Sequence, residues 1–226
     1  MDYKLDIIFL CGGKGTRLRP YTNKIPKPLL LVNNKPFLYH LIKKVLKINK
    51  FENIILASGY KVQKIREFIK KDFKNNNKIK VIDSGDVDII QRIKDSSKFL
   101  KNDFMICYGD TYVDLDLNDY IEKFNKGKNP ALMTGSFYQI KYGTVEFNKK
   151  NNLVKKFKEK PIIKSPINLG YFLFDKKLVK QVFQFNSWVK FLETLSKKKK
   201  MELFITNKKY FSFDNPLEYN EIKKKF

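Results

Sequence analysis

Three groups of residues in this chain of 226 residues have the types and spacing to do chemistry on phosphates. The first is Gly12-Gly13-Lys14-Gly15-Thr16-Arg17-Leu18-Arg19-Pro20. Glycines let backbone N–H groups approach a polyphosphate closely, and guanidinium forks match phosphate oxygens in charge and geometry, so the run has the composition of a phosphate cradle. Two common motifs do not account for it: Leu18 stands where a dinucleotide fingerprint requires its third glycine, and no Gly-Lys-Ser/Thr falls at P-loop spacing. The second group, Pro26-Lys27-Pro28, sets a lysine between two prolines that restrict its backbone path. In so lysine-rich a chain, a solvated side chain is the alternative. The third group is a pair of aspartates that close apolar runs. Asp110 follows Phe104-Met105-Ile106-Cys107-Tyr108-Gly109, at the edge where open α/β sheets bind ligands. A carboxylate there suits Mg2+, which binds through one or two carboxylates plus substrate phosphates. Asp214 follows Phe211-Ser212-Phe213 and precedes Asn215-Pro216, where it also fits as the opening residue of a turn.

The elements that must position these groups are legible from hydrophobic periodicity. Ile7 to Cys11 reads as a first strand, and Pro36 to Asn49 as a helix with Phe37, Leu38, Leu41, Ile42, Val45, Leu46 and Ile48 on one face. Strands at 53–58, 79–82 and 104–108 alternate with helices at 62–73 and 89–100, the pattern of parallel strands joined by helical crossovers. Past Ala131 the chain turns strand-rich, with strands expected at 131–137, 142–147, 153–157 and 170–174. A helix near 178–195 and a hairpin around 202–213 are the last two elements expected. Asp114 and Asp116 read as solvent-facing or turn residues, and His40 as a structural residue of the first helix. The fold class is thus α/β: a single Rossmann-like domain over residues 1–226, with a mostly parallel central sheet, a nucleotide-binding half (1–120) and a strand-rich acceptor-binding half (121–226).

Composition excludes several classes. Hydrophobic residues make up 42% and aromatics 15% of the chain, outside the range of disordered sequences. No apolar run approaches the ~20 residues of a membrane span, and the one from Ile7 to Cys11 is too short for a secretory leader. Cys11 and Cys107 lack metal or disulfide spacing and read as core thiols, so a cytoplasmic location is expected. The 47 basic against 23 acidic residues give a formal charge of +24, which fits nucleic acid, a membrane surface or phosphate-rich small substrates, and equally a compositional bias spread along the chain. A nucleic-acid-binding protein predicts lysines clustered on one face with exposed aromatics. Here the aromatics fall mostly at periodic core positions, so no nucleic-acid or membrane partner is expected.

The run Gly12-Gly13-x-Gly15-Thr16-Arg17-Leu18-x-Pro20, followed by Pro26-Lys27-Pro28, resembles the opening signature of nucleoside triphosphate:sugar-phosphate nucleotidyltransferases. The resemblance implies that Gly12, Gly13, Gly15, Thr16 and Arg17 hold the nucleotide phosphates, that Leu10, Ser84, Arg92 and Gly109 complete the nucleotide site, and that Lys27 contacts the reacting phosphates. It implies that Asp110 and Asp214 share Mg2+, with Arg17, Lys27 and Asp110 as the catalytic residues. Phe157-Lys158-Glu159-Lys160-Pro161 resembles the family's Glu-Lys-Pro element, so that Gly143, Glu159, Lys160 and Asn168 are expected at the acceptor. Tyr108-Gly109-Asp110, Val81 to Asp86, Arg92-Ile93-Lys94 and Asp114-Leu115-Asp116 are similar to the cytidylyltransferase branch, in particular glucose-1-phosphate cytidylyltransferase, and imply CTP as donor. Two departures bear on the substrates. Ile89-Ile90-Gln91 replaces a glycine-bearing segment, which alters the approach to the nucleotide. Leu169 stands where the family usually has Gly or Ala, and its bulk is expected to exclude glucose 1-phosphate in favour of another sugar or an acyclic polyol phosphate. The expected role is in surface polysaccharide biosynthesis, as a homo-oligomer; other nucleotides with a hexose or heptose 1-phosphate are the alternative.

Overall fold

The computed structural model describes residues 3–74 and 76–226. In chain order the elements are β1 (Leu5–Leu10), β2 (Leu31–Val32), β3 (Lys35–Pro36), α1 (Phe37–Leu46), β4 (Phe51–Ser58), α2 (Val62–Asp72), β5 (Ile79–Asp83), α3 (Ile89–Ser96), β6 (Asp103–Tyr108), β7 (Thr111–Val113) and α4 (Leu117–Lys126). There follow β8 (Ala131–Ser136), β9 (Thr144–Phe147), β10 (Val154–Lys158), β11 (Ile167–Phe174), α5 (Leu178–Val182), α6 (Trp188–Lys197), β12 (Met201–Ile205), β13 (Tyr210–Ser212) and α7 (Pro216–Lys225). Seven strands form one sheet in the order β12-β8-β11-β6-β1-β4-β5. β11 runs antiparallel to both of its neighbours, and every other adjacent pair is parallel. The expected mostly parallel α/β sheet is therefore present.

The order of strands fixes where a ligand can sit. From β1 the chain steps outward to β4 and β5, then returns to pair β6 on the other side of β1. The carboxyl ends of β1 and β6 flank this switch point, the crevice where open α/β sheets bind ligands. Gly12 follows β1 there, and Asp110 follows β6.

Alternation along the strands divides the core between the two faces of the sheet. Leu5, Ile7 and Phe9 join a cluster with Phe37, Leu41 and Ile42 of α1 and with Tyr219 and Ile222 of α7. Ile8, Ile55 and Phe104 join a second cluster with Ile90 and Ile93 of α3 and Trp188 of α6. Asp6 breaks the apolar run of β1 and is fully buried. Its carboxylate accepts from Asn53 N at 3.1 Å, Asn53 Nδ2 at 2.7 Å, Lys101 N at 2.6 Å and Asn102 N at 2.8 Å, which ties β1 to β4 and to the entrance of β6.

From Asp116 onward the chain departs from expectation in four places. The helix expected over 178–195 is two helices, because Ser187 takes an extended backbone and its side chain accepts from Lys190 N, starting α6 afresh. The expected hairpin over 202–213 does not form: β12 joins the main sheet parallel to β8, while β13 pairs antiparallel with β7. Asp114 and Asp116 are exposed as expected, but the Asp116 carboxylate also accepts from the Asn118 and Asp119 amides and starts α4, a helix not expected from the sequence. Likewise Pro216 occupies the first turn of α7 behind the Asn215 cap, so that residue starts a helix. The two thiols and His40 match their readings: both cysteines are buried, and His40 Nε2 lies 2.9 Å from the Val32 carbonyl.

Candidate active site

The glycine-rich turn owes its shape to one residue. Gly15 has φ 61°, a left-handed conformation that side-chain-bearing residues rarely adopt. Its carbonyl accepts from Thr22 Oγ1 at 2.8 Å, which folds the turn back onto the segment leading to Lys27. Pro28 then holds Lys27 in a short helical turn where the residue is 8% exposed. Burying an ammonium in this way demands partners, and two carboxylates supply them. Lys27 Nζ donates to Asp110 Oδ2 at 2.5 Å and to Asp214 Oδ1 at 2.6 Å. Arg17 Nη2 lies 3.1 Å from Asp214 Oδ2, so one aspartate joins both cations. Partial burial pushes the Asp214 carboxyl up, but Lys27 and Arg17 outweigh it and hold its pKa below the ordinary aspartate value.

These groups border a cleft of about 900 Å³ at the switch point. Leu10, Gly12, Gly13, Arg17, Arg92, Asp110, Asn168 and Asp214 line it. An adjoining recess of about 190 Å³ is bordered by Gly15, Lys27 and Gly109 and shares Asp110 and Asp214 with the cleft. Of the remaining expected site residues, Thr16 is exposed at the start of the turn. Ser84 does not line the cleft; its amide donates to Ser58 O at 3.1 Å and its hydroxyl is buried without a partner among the described residues. Gly143, Glu159 and Lys160 lie in or beside the separate β9–β10 ribbon; Glu159 and Lys160 are exposed, and none of the three lines the cleft. The fold thus gathers the phosphate and carboxylate groups and leaves three of the four expected acceptor residues apart.

The cleft also contains groups that the sequence reading passed over. Trp188 lines it at the head of α6 and donates through Nε1 to Tyr108 Oη at 3.2 Å. Its apolar spacing on a helix reads as core, and nothing in the pattern separates it from Phe191. Asp86, beyond β5, forms an ion pair with Lys14 at 2.5 Å and so links the glycine turn to the opposite wall. Leu169 borders the cleft but is 3% exposed and belongs to the core cluster of Tyr171 and Leu173, so its bulk is spent mainly on packing.

The donor set can be tested against Mg2+. Among the described residues, no group of three or more His, Cys, Asp or Glu side chains gathers as a closed metal cage. Two carboxylates facing one cation is a different arrangement, and it fits an ion that keeps waters and takes its other ligands from phosphate. In the structure the cation between Asp110 and Asp214 is the Lys27 ammonium.

A D-glycero-alpha-D-manno-heptose 1-phosphate guanylyltransferase of Campylobacter jejuni is 32% identical over 221 residues, 95% of this chain and 97% of that protein. A protein named as a probable glucose-1-phosphate cytidylyltransferase of Bacillus subtilis is 31% identical over 196 residues, 76% of this chain and 75% of its own length. The chain spans about two fifths (41%) of the length of bifunctional GlmU relatives from methanogens. The crystal structure of HddC from Yersinia pseudotuberculosis superposes with a TM-score of 0.75 at 27% identity, covering 98% of this chain and 99% of the other. No helix among the described residues is long and apolar enough to cross a membrane. The family model described as nucleotidyl transferase matches residues 6–215, and with a cleft that brings the glycine turn, Lys27, Asp110 and Asp214 together, the chain belongs to the nucleotidyl transferase family.

Proposed function

We propose that the protein transfers a nucleoside monophosphate from a nucleoside triphosphate to the phosphate of a sugar phosphate and releases pyrophosphate. The observation that carries this reading is the shared contact of Asp110 and Asp214 with Lys27 beside the glycine turn. An acceptor phosphate oxygen attacks the α-phosphorus, a new P–O bond forms, and the bond from the α-phosphorus to the bridging oxygen of the β-phosphate breaks. A phosphate monoester is already a competent nucleophile, so the site needs positioning and charge neutralisation more than a general base. Lys27 and Arg17 supply positive charge to the reacting and departing phosphates, and the Gly12–Gly15 amides orient them. Asp110 and Asp214 would hold Mg2+, which supplies charge neutralisation at the phosphate oxygens when bound.

For the donor, the Campylobacter relative favours GTP because that match runs end to end in both chains. CTP is the second reading, favoured by the Tyr108-Gly109-Asp110 motif and by the Bacillus relative. We take GTP with a heptose or hexose 1-phosphate as the first reading and place the product in the supply of activated sugars for surface polysaccharide. The test is pyrophosphate release with each of four nucleoside triphosphates against a panel of sugar 1-phosphates and polyol phosphates. Turnover confined to GTP and one sugar 1-phosphate supports the first reading, and turnover with CTP the second. No release in any combination sinks both.

A further inference from the structure

Arg92 stands on α3, is 4% exposed, and spends its guanidinium on the backbone. Nη1 donates to Ser58 O at 2.5 Å, and Nη2 donates to Gly12 O at 3.1 Å, Gly85 O at 2.9 Å and Val87 O at 2.9 Å. These carbonyls belong to three segments: the turn after β1, the end of β4 and the loop from β5 to α3. The space exists because two residues lack side chains. A Cβ at Gly12 would stand 1.9 Å from Nη1, and one at Gly59 would stand 2.6 Å from the same atom.

The direction of these contacts has a consequence for the cleft. In a trans peptide the carbonyl and the following N–H point opposite ways. Drawing Gly12 O toward Arg92 therefore turns the Gly13 N–H away from the guanidinium, and the Gly85 and Val87 carbonyls do the same for the Asp86 and Asp88 amides. Gly13, Asp86 and Asp88 all line the cleft. Hydrogen bonds from a charged donor are about twice as strong as neutral ones, so a single side chain can hold three segments in register.

We infer that Arg92 is a positioning residue rather than a nucleotide ligand: its guanidinium fixes the glycine turn and the 84–88 loop so that their amides face the nucleotide. This rests on the proposed use of a nucleoside triphosphate. The protein has one tryptophan, Trp188, so quenching of its fluorescence reports nucleotide binding in the cleft, alongside KM values for both substrates. Arg92→Lys keeps the charge but offers one ammonium that cannot span three segments. Gly59→Ala leaves Arg92 in the sequence and disturbs its junction with the 84–88 loop, since a Cβ there would stand 2.1 Å from Gly85 O and 2.6 Å from Nη1.

Each variant is expected to raise the Kd and KM for GTP or CTP tenfold or more, with the sugar-phosphate KM changed less than twofold. The double variant should lose less than the product of the two single losses, since both act on the one junction between Arg92 and the 84–88 loop. Arg92→Ala should regain at least threefold in nucleotide affinity with millimolar methylguanidinium. Unchanged nucleotide KM, equal loss for both substrates, or effects that multiply in the double variant would overturn the inference, the last by making Arg92 a direct ligand. Should Arg92→Lys or Gly59→Ala not fold, the rescue of Arg92→Ala decides, and its absence counts against the inference. A wild-type protein that neither binds nor turns over nucleotide fails before any variant is made, which separates failure of the proposed function from failure at Arg92.

Discussion

Asp110 and Asp214, which close β6 and follow β13, accept hydrogen bonds from the same ammonium, Lys27 Nζ, at 2.5 and 2.6 Å. Two carboxylates this close repel unless a cation lies between them. Lys27→Met removes that cation and one of the two charges aimed at the phosphates. Turnover should fall about 10²–10³-fold, the range for loss of one aimed electrostatic donor. Stability should fall by about 1–3 kcal/mol, below the ~3–5 kcal/mol of a fully buried pair, because water still screens the partly exposed aspartates. Steady-state kinetics and urea unfolding of the same preparation check both figures.

Acid sensitivity follows from Asp214. Its folded-state pKa lies below the ordinary value near 3.9, so around that pH the native state binds fewer protons than the unfolded state. The stabilisation is complete above about pH 5 and disappears as pH falls through the folded pKa. Asp214→Asn should therefore unfold at lower temperature than wild type at pH 7, with the gap closing below about pH 4. A gap that stays constant from pH 7 to pH 3 would contradict the assignment.

Much of this site was legible because it is local. The glycine turn, the Pro-Lys-Pro segment and an aspartate at the end of an apolar strand are each short strings whose chemistry follows from residue type. Their convergence is not local, since β13 reaches the site by pairing with β7, across almost half the chain. Three of the four departures share a cause: Asp116, Ser187 and Asn215 are polar residues that suit turns and caps alike, and only the fold decides which. The resemblance to the family implies Arg92 at the nucleotide. The carbonyls that surround it come from three segments, and no spacing in the sequence reveals them.

Tyr108→Phe removes the acceptor of the Trp188 Nε1 hydrogen bond. The cost should be about 0.5–1.5 kcal/mol, with a shift of the single-tryptophan emission and a change in sugar-phosphate KM if the pair borders the acceptor. Fluorescence spectra and the two KM values are read together.

Asp6→Ala tests the account of the fold apart from the site. It strands four donors now satisfied by one buried carboxylate. The two Asn53 donors are buried, whereas the Lys101 and Asn102 amides can turn to water, so stability should drop by at least ~2 kcal/mol, since each unsatisfied buried group costs about 1–3 kcal/mol. Urea unfolding of the variant measures the loss.

Mn2+ binding followed by electron paramagnetic resonance in the presence of nucleoside triphosphate reads out whether Asp110 and Asp214 together hold one divalent ion with the nucleotide. One Mn2+ per chain is expected, with affinity falling at least tenfold in Asp110→Asn and in Asp214→Asn alike. Wild-type affinity in both variants would contradict it.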